Sequence, residues 1–304
     1  MAQVKKAIIP IAGLGTRFLP LSKVIPKELF PLVDKPALQY IVEEAAAAGI
    51  KEIIFINQPR RKEVLNYFKR YFEKNPELEN FLKARKKNHI LEELKRVENL
   101  SKKISFSQVF QKTPLGDGHA VLQAEKLVKG EPCAVLFGDD VVESKTPCLL
   151  QLINVFNKYK KPIIALYRIS QEKIPFYGIV RVKKIAKNLF KIIEIIEKPS
   201  IKEAPSNLAI VGKYIITPEV FDILKNANCE MKGEIKLVGG LNEMVKKGKI
   251  VYGYEFEGKW LECGNKLGWL QSHLYLSLKH PQFGKELKKF LRAWRNGRRT
   301  RFRT

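Results

Sequence analysis

The sequence has few of the features that mark secreted, membrane-spanning or zinc-stabilised proteins. It contains four cysteines, at positions 133, 148, 229 and 263, with no Cys-x-x-Cys pair and no clustered histidines. A zinc site is therefore not expected, and reduced thiols in a cytoplasmic protein are the expected state. No apolar run approaches the ~18 residues of a membrane helix. The first residues lead directly into an apolar strand and leave no room for a signal peptide, so we expect cytoplasmic localisation and no membrane partner.

Acidic residues are scarce relative to basic ones. Asp and Glu number 31 against 56 Lys and Arg, and the formal net charge is +25. Such an excess is compatible with binding nucleic acid, with attracting anionic substrates, or with a lysine-rich proteome. Most lysines are scattered through predicted helices as solvated positions, and only the segment from Arg292 to Arg303 forms a basic tail. A solvated tail is favoured over a binding arm, and without a recognised nucleic-acid module no nucleic-acid partner is expected.

Apolar runs alternate with amphipathic helical stretches along the chain. This alternation predicts an α/β fold with a mixed, mostly parallel sheet flanked by helices. The expected strands cover residues 5–11, 53–56, 104–110, 134–137, 162–169, 177–183, 190–197, 208–216 and 250–256. The expected helices cover residues 36–45, 60–74, 77–98, 118–128, 218–226, 234–247, 266–279 and 284–295.

The chain shows no internal repeat and no long linker rich in Pro, Gly or Ser. We therefore expect one α/β domain over residues 1–265, C-terminal helices over 266–295 and the basic tail over 296–304. The helix over 266–279 carries many leucines, which are explained equally well by packing in the core and by a subunit interface.

Two glycines follow the first predicted strand. Gly13 and Gly15 precede Thr16 and Arg17, and Lys27 lies ten residues further on. Glycines allow backbone N–H groups to approach a polyphosphate closely, and the two basic side chains would supply positive charge. The stretch is neither a Walker A loop nor a dinucleotide fingerprint, because the residues that define those motifs are missing. Taken alone, the glycines would be explained by an ordinary turn after a strand.

Two aspartates follow the buried strand at 134–137. In open α/β sheets, ligands bind outside the carboxyl ends of the strands, and a carboxylate there can hold Mg²⁺. The alternative role for Asp139 or Asp140 is to cap a turn. A later pair, Glu197 and Lys198, could hold sugar hydroxyls and a phosphate, or could be an ordinary surface pair.

The segment from Gln111 to Ala120 combines a glutamine with glycines. A glutamine amide offers both a donor and an acceptor, which suits a pyrimidine edge. His119 has no partners for a catalytic triad in the sequence, and we interpret it as a structural or capping residue.

These segments together resemble one family. The series Gly-Leu-Gly-Thr-Arg-Phe-Leu-Pro, Ile-Pro-Lys-Glu, Gly-His-Ala-Val, Gly-Asp-Asp, Tyr-Gly-Ile-Val, Glu-Lys-Pro and Ala-Pro-Ser-Asn-Leu-Ala runs in order between about residues 5 and 280. It is similar to that of bacterial UTP–glucose-1-phosphate uridylyltransferases, which are sugar nucleotidyltransferases. The resemblance implies a Rossmann-like nucleotidyltransferase fold, assembly as a dimer or tetramer, and Mg²⁺-assisted conversion of UTP and glucose 1-phosphate to UDP-glucose and pyrophosphate.

The resemblance also assigns roles to individual residues. Those with catalytic roles are Arg17, Lys27 and Asp139. Those that bind the nucleotide are Ala12, Gly13, Gly15, Thr16, Gln111 and Gly116. Those that hold the sugar phosphate are Gly178, Glu197, Lys198 and Lys213. Those that hold Mg²⁺ are Asp139 and Glu262.

The sequence departs from the family pattern at three places. Glu262 stands where the family has a second metal-binding aspartate, Val238-Gly239 replaces Thr-Asp, and Asn57-Gln58-Pro59 replaces Thr-Gly-Arg. An alternative function is therefore that of a catalytically degenerate paralogue that regulates a true uridylyltransferase. Transfer of another nucleotide, such as thymidylyl, and nucleic-acid binding are further alternatives.

Overall fold

The computed structural model describes residues 3–59, 61–71, 75–226 and 233–296. Cys229, parts of the helix expected over 60–74 and all but the first residue of the expected basic tail lie outside the described residues.

The described strands and helices follow one another through the whole chain. The strands are β1 (Lys6–Pro10), β2 (Pro31–Leu32), β3 (Lys35–Pro36), β4 (Glu52–Asn57), β5 (Ser105–Phe110), β6 (Cys133–Leu136), β7 (Asp140–Glu143), β8 (Ile163–Arg168), β9 (Gly178–Ala186), β10 (Leu189–Glu197), β11 (Leu208–Ile216), β12 (Tyr252–Glu255) and β13 (Lys259–Glu262). The helices are α1 (Ala37–Ala47), α2 (Glu63–Tyr71), α3 (Pro76–Ala84), α4 (Asn88–Ser101), α5 (Asp117–Leu122), α6 (Glu125–Val128), α7 (Cys148–Tyr159), α8 (Pro218–Lys225), α9 (Leu237–Lys246), α10 (Lys266–Lys279) and α11 (Gly284–Arg295).

One large mixed sheet organises the molecule. Its strand order, within the described residues, is β5-β4-β1-β6-β11-β8-β12-β10-β9. The first four strands are parallel, so their carboxyl ends lie along one edge. Strand β11 runs antiparallel to β6 and β8, and β9 and β10 form an antiparallel hairpin. The expected mixed sheet is confirmed, with its parallel strands concentrated in the first half.

Alternation along the strands distributes apolar side chains to both faces of this sheet. Ile9 packs in the cluster that contains α1 and α7, whereas Ile8 packs in the cluster that contains α5, α8 and α9. Successive side chains of a strand point to opposite faces. Both isoleucines are fully buried, and burial of such a side chain contributes about 1.5–3 kcal/mol. The sheet is therefore covered by helices on both faces.

Local signals explain several helix starts. Asn75 accepts a hydrogen bond from the backbone N–H of Leu78 and precedes Pro76, which is a favourable first residue of a helix. Asn265 caps α10 in the same way, through a 2.8 Å bond from the N–H of Gly268.

The structure differs from the sequence prediction at five segments. Helix α7, the short ribbon formed by β2 and β3, and the ribbon formed by β7 and β13 were not expected. The helix expected over 77–98 is divided into α3 and α4, because the chain turns at Lys86, whose φ is +54°. The helix expected over 118–128 is divided into α5 and α6.

The leucines of α10 divide between the core and the surface. Trp269 and Leu276 of α10 pack against the core, whereas Leu267, Leu270 and Leu274 are 65%, 55% and 42% exposed. Part of α10 is thus core, and part is an exposed apolar face. Among the described residues, the helices are too short or too polar to cross a membrane.

Candidate active site

Four of the segments identified in the sequence meet at the carboxyl edge of the parallel strands. Gln111 follows β5, Asn57 ends β4, the glycine loop follows β1, and Asp139 follows β6. Ligands of open α/β proteins bind in the crevice outside the carboxyl ends of the strands. The crevice at this edge is called the groove below.

The glycine loop leaves β1 and turns at Gly15. The φ of Gly15 is +65°, a conformation that glycine adopts without a steric cost. Its carbonyl accepts a 2.7 Å hydrogen bond from the Ser22 hydroxyl. A Cβ at Gly13 would meet no atom within 4 Å, so the loop is open on that side. Ala12 and Thr16 lie in the same loop, Ala12 buried and Thr16 exposed.

One departure from the family pattern supports this loop. The side-chain amide of Gln58 donates a 2.8 Å hydrogen bond to the carbonyl of Ala12. The buried amide of Asn57 bonds the carbonyl of Arg61 at 2.6 Å. The replaced segment therefore stabilises the base of the loop, a role that the sequence did not indicate.

Lys27 and Asp139 form an ion pair at the centre of the groove. The Lys27 Nζ lies 2.5 Å from the Asp139 Oδ2. Burial alone would lower the pKa of Lys27, but the carboxylates of Asp139 and Glu28 outweigh it and raise that pKa. Burial would likewise raise the pKa of Asp139, but attraction to Lys27 outweighs it and holds the pKa below its usual range. Both groups are charged at neutral pH.

The two consecutive aspartates have different environments. Asp140 accepts hydrogen bonds from the Trp260 indole at 2.7 Å and from the backbone N–H of Gly212 at 3.0 Å. Burial, followed by the charge of Asp139, raises the pKa of Asp140. Asp140 thus ties together three segments, and Asp139 is the aspartate that pairs with Lys27.

Glu262 reaches the same place from the β7–β13 ribbon. In that ribbon the backbone of Glu262 is paired with that of Asp140, the residue after Asp139. Its Oε2 accepts a hydrogen bond from the Tyr177 hydroxyl, and its Oε1 accepts one from the Asn265 amide at 2.7 Å. Neutral donors therefore orient this carboxylate.

Asp139 and Glu262 suit a magnesium ion. Mg²⁺ is commonly bound by one or two carboxylates, with phosphate oxygens and waters as its remaining ligands. Within the described residues, no group of three or more His, Cys, Asp or Glu side chains is arranged to hold a metal. A metal site built on Asp139 and Glu262 would therefore need further ligands from the substrate's phosphates and from water.

The segments assigned to the sugar phosphate lie at the start of β9 and the end of β10. Gly178 is paired with Glu197 across the hairpin, and a Cβ on Gly178 would lie 3.1 Å from the Glu197 Oε2. Lys198 has a φ of +50°. Lys198, Arg17 and Glu262 line one cavity of about 460 Å³.

Arg17 connects the glycine loop to the far end of the chain. Its Nη1 donates a 3.2 Å hydrogen bond to the carbonyl of Gly264, and the side chain is exposed to the groove. The adjacent N–H of Cys263 donates to the carbonyl of Asp139 at 2.8 Å. Arg17, Asp139 and the segment after β13 are therefore held together.

The loop from Gln111 to His119 is tightly fitted against Ile235. Gly116 has a φ of +99°, and a Cβ there would lie 2.5 Å from the carbonyl oxygen of Ile235. The Gln111 side chain is buried and donates to the carbonyl of Gly116 at 2.9 Å. The segment that contains Val238 and Gly239 continues as α9.

The Lys213 side chain points into the core, and its charge partly offsets the rise in the pKa of the nearby Asp140 carboxyl. Its side chain is fully buried within the sheet and forms a 2.8 Å ion pair with Glu44 of α1. This differs from the role implied by the resemblance, because strand β11 directs the ammonium group into the core. The Glu44 carboxylate also accepts a hydrogen bond from the N–H of Leu149 at the start of α7.

Four site-supporting residues were given no role in the sequence analysis. These are Gln58, Tyr177, Trp260 and Asn265. Each acts through a hydrogen bond that only the folded chain creates. For Asn265, the capping pattern before α10 could have indicated a helix start.

Known proteins with this combination of fold and site are nucleotidyltransferases. Residues 6–276 match the family model described as nucleotidyl transferase. UTP–glucose-1-phosphate uridylyltransferase 1 of Staphylococcus saprophyticus is 39% identical over 291 residues, covering 96% of this chain and 99% of that protein.

Solved structures agree with that match. A UTP-bound UGPase from Acinetobacter baumannii superposes with a TM-score of 0.83 at 36% identity, covering 95% of this chain and 99% of that one. A UDP-glucose pyrophosphorylase complexed with UDP-glucose superposes with a TM-score of 0.80 at 35% identity, covering 91% and 100%. The expected resemblance is confirmed, and the chain belongs to the nucleotidyl transferase family, among the UTP–glucose-1-phosphate uridylyltransferases.

Proposed function

We propose that this protein joins UTP and α-D-glucose 1-phosphate to form UDP-glucose and pyrophosphate. The observation that carries the proposal is the meeting, at one groove, of the glycine loop, the Lys27–Asp139 pair and Glu262. A polyphosphate needs N–H donors and cations, and these surround the place where the α-phosphate of UTP would lie.

The reaction needs no nucleophilic side chain. A phosphate oxygen of glucose 1-phosphate attacks the α-phosphorus in line, and the bond to the bridging oxygen breaks with release of pyrophosphate. Both substrates are anions, so the main tasks of the protein are to align them and to offset their repulsion. Arg17 and Lys27 would supply positive charge to the reacting phosphate, with Lys27 oriented by the Asp139 carboxylate.

We further propose how the remaining residues divide the substrates. Gly178, Glu197 and Lys198 would hold the glucose 1-phosphate, with the carboxylate on sugar hydroxyls and the ammonium on the phosphate. The residues that would hold the nucleotide are Ala12, Gly13, Gly15, Thr16, Gln111 and Gly116. Lys213 is not included, because its ammonium group is paired with Glu44 in the core.

The cofactor in this proposal is Mg²⁺, held by Asp139 and Glu262. When bound, the ion would withdraw charge from phosphate oxygens and help to orient them. Glu262 is one methylene longer than the aspartate of the family pattern. The hydrogen bonds from Tyr177 and Asn265 give this longer side chain a defined orientation.

Assembly and location follow from other features. The exposed leucines of α10 support a homo-oligomer, a dimer or tetramer, in which this apolar face is covered. Cys133, Cys148 and Cys263 are buried free thiols, which supports a reducing compartment such as the cytoplasm.

The alternative of a degenerate regulatory paralogue is not favoured. Arg17, Lys27 and Asp139 all lie at the groove, and hydrogen bonds and an ion pair hold their segments together. A non-catalytic copy would not need to keep this arrangement. The proposal is tested by measuring pyrophosphate release from UTP, glucose 1-phosphate and Mg²⁺, with Asp139→Ala and Glu262→Asp beside the wild type. Turnover that disappears in Asp139→Ala supports the enzyme. Turnover that arises only in Glu262→Asp would instead support the paralogue.

A further inference from the structure

The imidazole of His119 lies between two glutamine amides. Its Nδ1 is 2.9 Å from the Gln111 Nε2, and its Nε2 is 3.2 Å from the Gln123 Nε2. A neutral imidazole has one donor and one acceptor nitrogen. Both ring nitrogens therefore cannot accept hydrogen bonds from the two amides at once, and only one of these two contacts is a hydrogen bond.

The Gln111 amide makes the shorter contact with the ring, 2.9 Å against 3.2 Å for Gln123. The carbonyl of Gly116 lies 2.9 Å from the same Gln111 nitrogen. A carbonyl oxygen can only accept, so the Gln111 atom beside it must be the NH₂ group. The Nδ1 of His119 then accepts the second hydrogen of that NH₂ group, and the ring proton resides on Nε2. The Gln123 amide donates instead to the backbone carbonyl of His119 at 3.1 Å, and its longer 3.2 Å contact with the ring Nε2 is not a hydrogen bond.

This arrangement leaves Gln111 with a single unused polar atom. Both hydrogens of its amide are engaged by Gly116 and His119. Its carbonyl oxygen has no hydrogen-bond donor among the described residues, although the side chain is only 6% exposed. The backbone N–H of Gln111 is fixed by a 2.9 Å bond to the carbonyl of Asn57. Gln111 therefore presents a fixed acceptor.

We propose that His119 is a positioning residue for nucleobase selection. By holding the NH₂ group of Gln111, it leaves only the carbonyl oxygen for the base. This favours a pyrimidine whose ring N3 carries a hydrogen, as in uracil, over cytosine, whose N3 is itself an acceptor. The inference rests on the proposed function, because it takes Gln111 to face the base.

The chemistry distinguishes three probes. UTP and 5-methyl-UTP share the N3–H and the ribose, so a carbonyl acceptor does not separate them. CTP has the same sugar and triphosphate, but its N3 is an acceptor and would face the carbonyl oxygen of Gln111, which is also an acceptor. A fixed carbonyl oxygen on Gln111 discriminates strongly between the bases, because it is left without a hydrogen bond when the N3 of cytosine lies opposite it.

The experiment compares His119→Leu, which removes the acceptor, with His119→Asn, whose Oδ1 can replace Nδ1. Gln123→Ala is the control, because it contacts the other ring nitrogen and does not touch Gln111. For each protein, kcat and KM are measured with the three triphosphates at saturating glucose 1-phosphate. UTP binding without the sugar phosphate is measured by calorimetry, and the unfolding midpoint is measured by circular dichroism.

We expect His119→Leu to raise the KM for UTP about three- to tenfold, with little change in kcat, since one orienting hydrogen bond is lost. The ratio of kcat/KM for UTP to that for CTP should fall by about the same factor, and the ratio for UTP to 5-methyl-UTP should stay constant. His119→Asn should recover most of the UTP-to-CTP ratio, and Gln123→Ala should remain within about twofold of the wild type.

An unchanged UTP-to-CTP ratio in a folded His119→Leu protein would overturn the inference, even with all activity reduced. If His119→Leu does not fold, His119→Ala provides the same comparison. Failure of the proposed function is a separate result, in which the wild type makes no UDP-glucose. In that case weaker UTP binding by His119→Leu, with no change in CTP binding, would still support the inference.

Discussion

The hydroxyl of Tyr177 donates a hydrogen bond to the carboxylate of Glu262, 85 residues further along the chain. The pairing orients a side chain that is longer than the aspartate of the family pattern. Outer partners of this kind are worth about 10–100-fold in metal affinity at many sites.

Replacing Tyr177 by Phe should weaken the response to magnesium. The ring would still pack against Trp260, but Glu262 would keep only its bond from Asn265. We expect the Mg²⁺ concentration for half-maximal activity to rise about tenfold, with a smaller change in kcat at saturating Mg²⁺. A titration of activity against Mg²⁺, together with Mn²⁺ binding followed by electron paramagnetic resonance, measures this.

Tyr167→Phe is the matched control, because Tyr167 also contacts Trp260 but does not contact Glu262. Equal titrations for both variants would contradict the prediction.

Gly116→Ala should disturb the loop from Gln111 to His119 more than a typical glycine substitution would. At Gly116 the new Cβ would lie 2.5 Å from the backbone oxygen of Ile235, in addition to a φ of +99°. We expect a loss of about 2–3 kcal/mol in the free energy of unfolding, and a higher KM for UTP. Gly130→Ala is the control, since its φ is +71° but its Cβ would meet no atom within 4 Å. It should cost only about 1 kcal/mol. Urea unfolding of both variants checks the difference, and similar losses would show that backbone conformation, rather than the contact with Ile235, is the cause.

The buried carboxyl of Glu28 should make stability depend on pH. Burial raises its pKa from 4.5 to about 7, and its Oε2 has no hydrogen-bond partner. The folded state therefore binds this proton more tightly than the unfolded chain, so stability falls as the pH rises from about 4.5 to 7. Between pH 4.5 and pH 8 we expect the free energy of unfolding of the wild type to fall by on the order of 2–3 kcal/mol because of this group. Glu28→Gln should abolish this fall.

Urea unfolding at those two pH values measures this for the wild type and the variant. The exposed Glu77→Gln variant should keep the slope of the wild type. A slope that persists in Glu28→Gln would assign the pH dependence to other groups.

Lys213 should matter for stability rather than for sugar binding. Lys213→Met leaves the Glu44 carboxylate buried without its partner, which typically costs about 3–5 kcal/mol. The double variant Lys213→Met/Glu44→Gln removes both charges and keeps an acceptor for the N–H of Leu149, so it should recover most of this loss. Its KM for glucose 1-phosphate should equal that of the wild type. A marked increase in that KM in the folded double variant would return Lys213 to the sugar-phosphate residues.

The sequence predicted the parts of this fold that depend on local pattern. The apolar runs around Ile8 and Ile54 read as buried strands because every position is apolar on both faces. Helix α7 was missed although its buried residues follow helical spacing. The β7–β13 ribbon was missed because its short strands are joined by pairing across more than a hundred residues.

The candidate site shows the same division. The resemblance located Arg17, Lys27 and Asp139 through contiguous motifs. It could not indicate that Gln58 supports the carbonyl of Ala12, or that Lys213 turns into the core, because both depend on which segments meet in three dimensions. The substitution of Asn57-Gln58-Pro59 was a departure in sequence and became a supporting contact in the structure.

The bond from Arg17 to the carbonyl of Gly264 joins residues that are 247 positions apart. During synthesis, the glycine loop is complete when most of the polypeptide does not yet exist. The arginine can adopt its position only after the segment beyond β13 has been made and has paired with β7. A partly synthesised chain, or a fragment ending before that ribbon, would therefore present the glycine loop without the contact that orients Arg17. The final position of Arg17 is in this way delayed until almost the whole chain has been translated and folded.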